Sequence, residues 1–508
     1  MSNLAAAPAR RDWASITLTG CGVVGFWILY GAIHASYRLS VSRTLALDDA
    51  RASELVQSLE LGYQARQPPL YEWLLWCSQQ VFGTGLPSHI VLRYSLIAAL
   101  GYAAFIATRT AVRDERWAAV ASLSLVASYP VGWTFHDWGT QTILLCIACF
   151  LTLAAAIRYL ENPGLRTSVW LGLAIGFGLL AKFSYPLFLG GLLLSALSLP
   201  DARRRLADLR LLLTLAIAVA MILPFLAWLI AVHASIAGAV AEAMVQHGLP
   251  HFVRALVGLG RLLLSMPLFL LPWIALVALL APGAFRRRYA SATAAALPEE
   301  LTGRAMAFAA LLSMIGILLI GATNIGERYM HAILIATPVY VFARVERLAP
   351  GEERIRRFAV FAVVAAFIGL GMRVLVYTDT GLTRRAERRA MIPYESLTRS
   401  LAERGLADGT AISPGIRDAG NLRAFLPSLR VMSPESYRLV RPPRRPADDR
   451  SCILIWELDL EDGARLLAPI EGLPRERFEA ASPPSIFGAP RRSVWEMVRL
   501  DPASPVCR

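Results

Sequence analysis

Hydrophobic residues fall in long unbroken runs separated by short polar segments. The runs cover about residues 15–35, 88–108, 117–135, 138–157, 169–181, 186–199, 211–233, 262–281, 305–323, 329–343 and 358–377. Several reach the roughly 20 residues that a helix needs to cross the hydrocarbon core of a bilayer. The pattern predicts an all-α polytopic membrane protein with about eleven transmembrane helices. After residue 377 the pattern changes to short elements broken by prolines, with a strand-like "SCILIWEL" at 451–458 and helical and extended pieces around 394–432. The expected organisation is a membrane unit over 1–377, with a first external loop at 36–87, and a small α/β domain over 378–508.

Composition agrees: 56% of residues are hydrophobic and mean hydropathy is +0.49, above the roughly 45–50% apolar content of soluble domains. The first run follows "MSNLAAAPARRDW", is longer than a signal-peptide core and lacks a small-x-small cleavage site, so it reads as a retained anchor. The net charge is +14, and 50 of the 51 basic residues are arginine. This basicity does not point to nucleic acid, because it is concentrated between the apolar runs. Arg10 and Arg11, Arg109, Arg113 and Arg116, Arg203–Arg205 and Arg210, Arg286–Arg288, and Arg344 through Arg357 all fall on one side when the runs are threaded alternately. The positive-inside rule makes that side the cytoplasm, and loop 36–87 and the tail are then external. The tail itself carries 21 arginines and 18 acids. Cys21, Cys77, Cys146 and Cys149 lie in or beside apolar runs and read as packing residues, whereas Cys452 and Cys507 could pair in an oxidising compartment.

Residues 169–199 form one apolar stretch flanked on both sides by cytoplasmic arginines. The chain must cross and return within it, and "KFSYP" at 182–186 is the break. Arms of about 13 residues span only about 20 Å, so the turn is expected below the outer membrane surface. Such backbone is tolerated where protein or a watery cavity covers it. Lys182, the only lysine in the chain, stands at this turn.

The loop "LDDARASELVQSLELGYQARQPPLYEW" at 47–73 opens with an acid pair. Ala52, Leu55, Val56 and Leu59 have the spacing of a one-sided helix, and Leu70, Trp73, Leu74 and Cys77 repeat it behind Pro68 and Pro69. Two amphipathic helices in the interface plane are expected. Asp48 and Asp49 have two readings: caps for the first helix, or a general base on the external face.

The acid pair behind a first span, followed by "GYQARQPPLYEWL", resembles the GT-C glycosyltransferases that use polyprenyl-phosphate sugars. The nearest branch contains protein O-mannosyltransferases, lipid A aminoarabinose transferases and lipopolysaccharide-core galacturonosyltransferases. "HDWGTQT" at 136–142, "AKFSYP" and "ERYMH" at 327–331 also resemble family stretches. The resemblance covers about 15–377 and implies an inverting glycosyltransferase with Asp48 as base and Asp49 beside it. Lys182, Arg328 and Arg66 become candidates for the donor phosphate, and Tyr71, His136, Asp137, Tyr329 and His331 for substrate contact. The implied partners are a polyprenyl-phosphate sugar, an acceptor that is a glycolipid or a protein hydroxyl, and the bilayer. The implied site is the periplasmic face of a bacterial inner membrane.

Each of these candidates has a plainer reading. Arg328 suits a snorkelling residue at a helix end, and Asp137 a cap on the following helix. His247 and His251 have i, i+4 spacing, but Pro250 separates them and no further ligand is near, so no metal is assigned there. Nothing in the sequence calls for a cofactor. A lipid flippase or transporter would share the many helices and intramembrane charge, although paired repeats are not evident. A membrane-anchored binding module, with the tail as working part, is a further alternative.

Overall fold

The computed structural model describes residues 17–235, 238, 244–246, 248–282, 296–348, 351–377, 391–434, 441–468, 470, 472–482 and 491–508. Arg10, Arg11, Arg286–Arg288, His247 and the boundary between the two units lie outside them. Six described helices are long and apolar enough to cross a membrane: Leu86–Arg109, Thr140–Glu161, Leu211–Ala231, His251–Leu271, Leu297–Ile320 and Glu352–Tyr377. Gly20–Val41 has 22 residues, and Leu165–Ala181 and Tyr185–Ser198 are shorter apolar helices. We label the elements used below α1 (Gly20–Val41), α2 (Leu47–Leu55), α3 (Leu70–Phe82), α4 (Leu86–Arg109), α5 (Glu115–Leu123), α6 (Thr140–Glu161), α7 (Leu165–Ala181), α8 (Tyr185–Ser198) and α9 (Glu352–Tyr377).

Two of the apolar runs are not continuous helices. Run 117–135 is α5, then a tight turn at Ser124–Ala127 and the short helix Tyr129–Gly132. Ser124 and Ser128 donate their hydroxyls to the carbonyls of Ala121 and Leu125, and Pro130, which has no N–H, sits where a new helix can start. Run 329–343 is likewise broken, with Pro338 early in Thr337–Leu348. Such breaks are tolerated where protein covers the backbone, and Val126, Val131, Phe135 and Ile335 are all buried. In its most apolar stretch α6 is 83% buried and α9 only 17%. Helix α6 is therefore central, and α9 presents most of its surface outward.

The two loop helices differ in detail from the expected ones. Helix α2 begins at Leu47 and ends at Leu55, so Leu59 lies beyond it and is exposed. Val56, at φ −89° and ψ 51°, leaves the helical conformation, and just beyond it the Gln57 side-chain amide bonds the backbone of Val431 at 2.7 and 3.0 Å. Helix α3 starts behind Pro69 as expected, but its buried residues are Tyr71, Glu72, Leu75 and Gln79, and Cys77 is exposed. Leu70, Trp73 and Leu74 are partly buried against the core, and Glu72 and Gln79 turn into the protein as well.

The C-terminal part contains α10 (Tyr394–Glu403), β1 (Gly409–Ile412), α11 (Ile416–Phe425), β2 (Leu429–Met432), β3 (Cys452–Glu457), β4 (Arg475–Ala481) and β5 (Arg492–Leu500). The strands form one sheet in the order β2-β1-β3-β5-β4, parallel across β2-β1-β3 and antiparallel beyond. Strand β3 is the strand-like segment of the sequence. Its residues alternate between two packed faces, Ile453 and Ile455 on one, and Cys452, Leu454 and Trp456 on the other, which is why it reads as a continuous apolar run. A disulfide joins Cys452 to Cys507.

Candidate functional site

Helix α2 brings its acids in from the side of the bundle. The residue at its N-cap is Ala46, which makes no side-chain cap bond, and Asp48 and Asp49 lie within the first turn. Neither serves as the N-cap, and the two face different environments. Asp49 is buried, accepts from Arg93 Nη2 at 2.6 Å and lies 3.6 Å from His89. Burial alone would raise its pKa, but the Arg93 charge, the nearby His89 and the hydrogen bond from Arg93 hold the carboxyl well below the usual range. Asp49 is thus a fixed anion. Arg93 also donates to the carbonyls of Phe135 and Trp138 at 3.0 and 3.4 Å, tying the acid helix to the loop before α6.

Asp48 is half-buried, and its Oδ2 accepts from the backbone N–H of Gly139 at 3.2 Å. Gly139 has φ +87°, in the left-handed region, and a Cβ there would stand 3.1 Å from the Phe135 ring. Glycine is required for this turn to present its N–H to the acid.

The first turn of α6 carries two further contacts. Gln141 Nε2 donates to Glu72 Oε1 at 3.0 Å, and Gln64 Nε2 donates to the same oxygen at 3.0 Å. Lys182 Nζ donates to Thr142 Oγ1 at 2.6 Å. The charges of Asp48 and Arg328 both act on Lys182. Contacts from Gly139, Gln141 and Thr142 therefore gather Asp48, Glu72 and Lys182 at the positive end of one helix.

Glu72 was not singled out from the sequence. It is fully buried, its Oε2 has no partner among the described residues, and burial pushes its carboxyl up to about 7. The available signal was an acid one residue off the apolar stripe of a short helix. Tyr71 is buried within reach of the charges of Asp49, Arg93, Glu72 and Asp48. It stands beside Glu72 in the first turn of α3.

The remaining candidates divide. Lys182 follows α7 and precedes α8, at the expected turn, and is half-buried. Arg328 is exposed in the turn Glu327–Tyr329, its guanidinium 5.0 Å from the Tyr329 ring centre. The carbonyl of Arg328 bonds His331 Nδ1 at 2.9 Å, and the His331 ring stacks on Phe135 at 5.4 Å. Arg66 is exposed and has no ion pair among the described residues.

His136 packs inside the protein. It is buried behind the loop, its nitrogens hydrogen-bonded to Tyr30 at 2.8 Å and Tyr94 at 3.2 Å, its ring 4.2 Å from that of His34. Asp137 does not cap α6, whose N-cap is Gly139. It bonds Tyr377 at 2.9 Å and Arg373 at 3.3 Å, linking the loop to α9. Hydroxyls and a cation from the bundle satisfy both residues, which a local reading of "HDWG" could not foresee.

Comparison with known proteins places this geometry in context. The family described as dolichyl-phosphate-mannose-protein mannosyltransferase matches residues 66–228. That segment holds Tyr71, Glu72, the 136–142 loop and Lys182, but begins after the acid pair. The lipopolysaccharide core galacturonosyltransferase RgtA of Rhizobium johnstonii is 26% identical over 461 residues, covering 89% of each chain. RgtB of the same organism is 28% identical over 449 residues, covering 87% of each. Among solved structures, ArnT from Cupriavidus metallidurans bound to undecaprenyl phosphate aligns with a TM-score of 0.52 at 15% identity, over 94% of this chain and 98% of that one. Apo ArnT aligns over the same shares with a TM-score of 0.55 at 14% identity.

Proposed function

From the premise that this chain is of the GT-C glycosyltransferase kind, in sequence and in fold, we propose that it transfers a sugar from a polyprenyl phosphate to a lipid A or lipopolysaccharide-core acceptor. The reaction takes place at the periplasmic face of the inner membrane. The observation that carries this reading is the gathering of Asp48, Glu72 and Lys182 by Gly139, Gln141 and Thr142.

Asp48 accepts the proton of the acceptor hydroxyl as the oxygen attacks the anomeric carbon. A free aspartate has a pKa near 3.9, so the proton moves only as the new bond forms and the hydroxyl becomes acidic. The polyprenyl phosphate leaves from the opposite face with the bonding electrons, which inverts the configuration. It needs positive charge rather than a proton. Lys182 and the N-terminal end of α6 supply it, with Arg328 at the outer side. Asp49 stays ionised against Arg93 and orients α2. Tyr71 walls the site, and Tyr329 and His331 hold the Arg328 turn.

The orientation is supported by the arginine clusters on the opposite side and by the Cys452–Cys507 disulfide, which suits an oxidising compartment. The catalytic unit is then 1–377, and the periplasmic domain 378–508. The relatives make galacturonic acid the first sugar to test. Purified protein is given undecaprenyl-phosphate-linked galacturonic acid and lipopolysaccharide core, and the acceptor is weighed by mass spectrometry. Gain of one sugar residue supports the reading. Transfer to serine or threonine peptides alone would move the acceptor to protein, and lipid translocation without transfer would replace the reading by a flippase.

A further inference from the structure

Helix α2 has nine residues and no side-chain N-cap. A helix this short is not stable alone in water. Among the described residues the Asp48 side chain has one hydrogen bond, from the Gly139 N–H, so its position depends on whatever holds the backbone of α2. The bundle holds one side through Arg93 and Asp49. The other side is held from the far end of the chain.

Helix α11 of the C-terminal domain lies directly on α2. A Cβ at Gly420 would stand 2.0 Å from the carbonyl oxygen of Ala50 and 2.6 Å from its Cα. Only glycine allows that approach. Asn421, fully buried, reaches past the start of α2: its Oδ1 accepts from Leu45 N–H at 2.8 Å and its Nδ2 donates to Arg417 O at 2.9 Å. Arg423 Nη1 donates to Ser53 O at 2.7 Å and to Gln79 Oε1 at 3.0 Å. A cation at the last carbonyls of a helix is favourable. In the last turn of α2, both oxygens of buried Glu54 accept from Ser433, its N–H at 2.7 Å and its hydroxyl at 2.9 Å. Asn421 and Arg423 thus secure the two ends of α2, and Gly420 sets its distance.

We propose that α11 is a positioning element for the transfer reaction, in which Gly420, Asn421 and Arg423 fix where Asp48 stands. The C-terminal domain is then part of the frame of the active site, not a separate binding module. The inference rests on Asp48 being the base.

The test uses the full-length protein in detergent with undecaprenyl-phosphate-linked galacturonic acid and lipopolysaccharide core. Asn421→Ala should lower kcat by about 10- to 100-fold, the loss a small misplacement of a reacting group produces, with the donor KM unchanged because Lys182 is untouched. Arg475→Ala, on the outer strand β4, should match the parent. In an Asp48→Asn background Asn421→Ala should cause no further loss, since it acts through that acid. Hydrogen exchange supplies a readout independent of the sugar chosen: amides of residues 50–55 should exchange about 10-fold faster in Asn421→Ala. Gly420→Ala should do the same if it folds. Unchanged exchange, unchanged kcat beside an active parent, or an equal loss in both backgrounds overturns the proposal. Full activity of Asp48→Asn alone would instead overturn the catalytic reading, while faster exchange in Asn421→Ala would still report the clamp.

Discussion

Glu72→Gln should make the protein more stable at alkaline pH and leave it nearly unchanged at acidic pH. Glu72 is 1% exposed, and burial moves its carboxyl from an ordinary 4.5 to about 7. Below pH 4.5 the group is neutral in the folded and unfolded chain. Between 4.5 and about 7 the unfolded chain gives up the proton while the folded one keeps it, so stability falls as pH rises; above 7 both are ionised. The folded carboxylate then costs about 3 kcal/mol. Glutamine keeps an oxygen for Gln64 and Gln141 and never ionises. Unfolding followed in detergent should show the variant ahead by under about 1 kcal/mol near pH 5 and by about 3 kcal/mol near pH 8.5. An equal difference at both pH values would refute the argument, because it would mean that Glu72 does not change protonation on unfolding.

Other expectations follow the same geometry. Asp48→Asn should cut turnover by about 10²–10⁴-fold at unchanged melting temperature, measured as sugar transfer by purified protein. Lys182→Ala should raise the donor KM and lower kcat more than it lowers stability, and normal donor dependence would return Lys182 to a structural role. Arg93→Ala leaves Asp49 buried without its cation and should cost about 3–5 kcal/mol in the same unfolding assay. Because the Asp49 carboxyl is held below its ordinary 3.8, that contribution is present above pH 3.8 and fades as pH falls beneath it. A reporter fused after residue 380 should read periplasmic and one near residue 205 cytoplasmic, and the reverse would remove the placement of the site.

What the sequence made legible is what depends on near neighbours along the chain. Most of the apolar runs coincide with helices because each must satisfy its own backbone in lipid, the broken runs 117–135 and 329–343 being those that protein covers. "KFSYP" could be seen as a turn between two short helices because the apolar stretch around it must cross and return. "SCILIWEL" read as a buried strand because both of its faces are packed. Glu72, Gln141 and Thr142 escaped notice because an ordinary amphipathic pattern hides a polar residue that turns inward to a partner 69 or 40 positions away. The sequence does not say that Tyr30, Tyr94 and His34 surround His136. Asn421 and Arg423 look like ordinary helix residues, and only the fold brings them to Leu45 and Ser53.

The contact between Arg423 and Ser53 spans 370 residues, which puts a clock into the making of this protein. A ribosome adds about 5–20 residues each second, so roughly 20 to 70 s separate the appearance of α2 from that of the residues that hold its ends. During that interval the acid helix has already left the ribosome, and the bundle side is its sole support. A chain truncated between Tyr377 and α11 would enter the membrane with every apolar segment present and still lack a settled place for Asp48. Newly inserted protein should therefore gain activity only when the last fifth of the chain has folded against the first tenth.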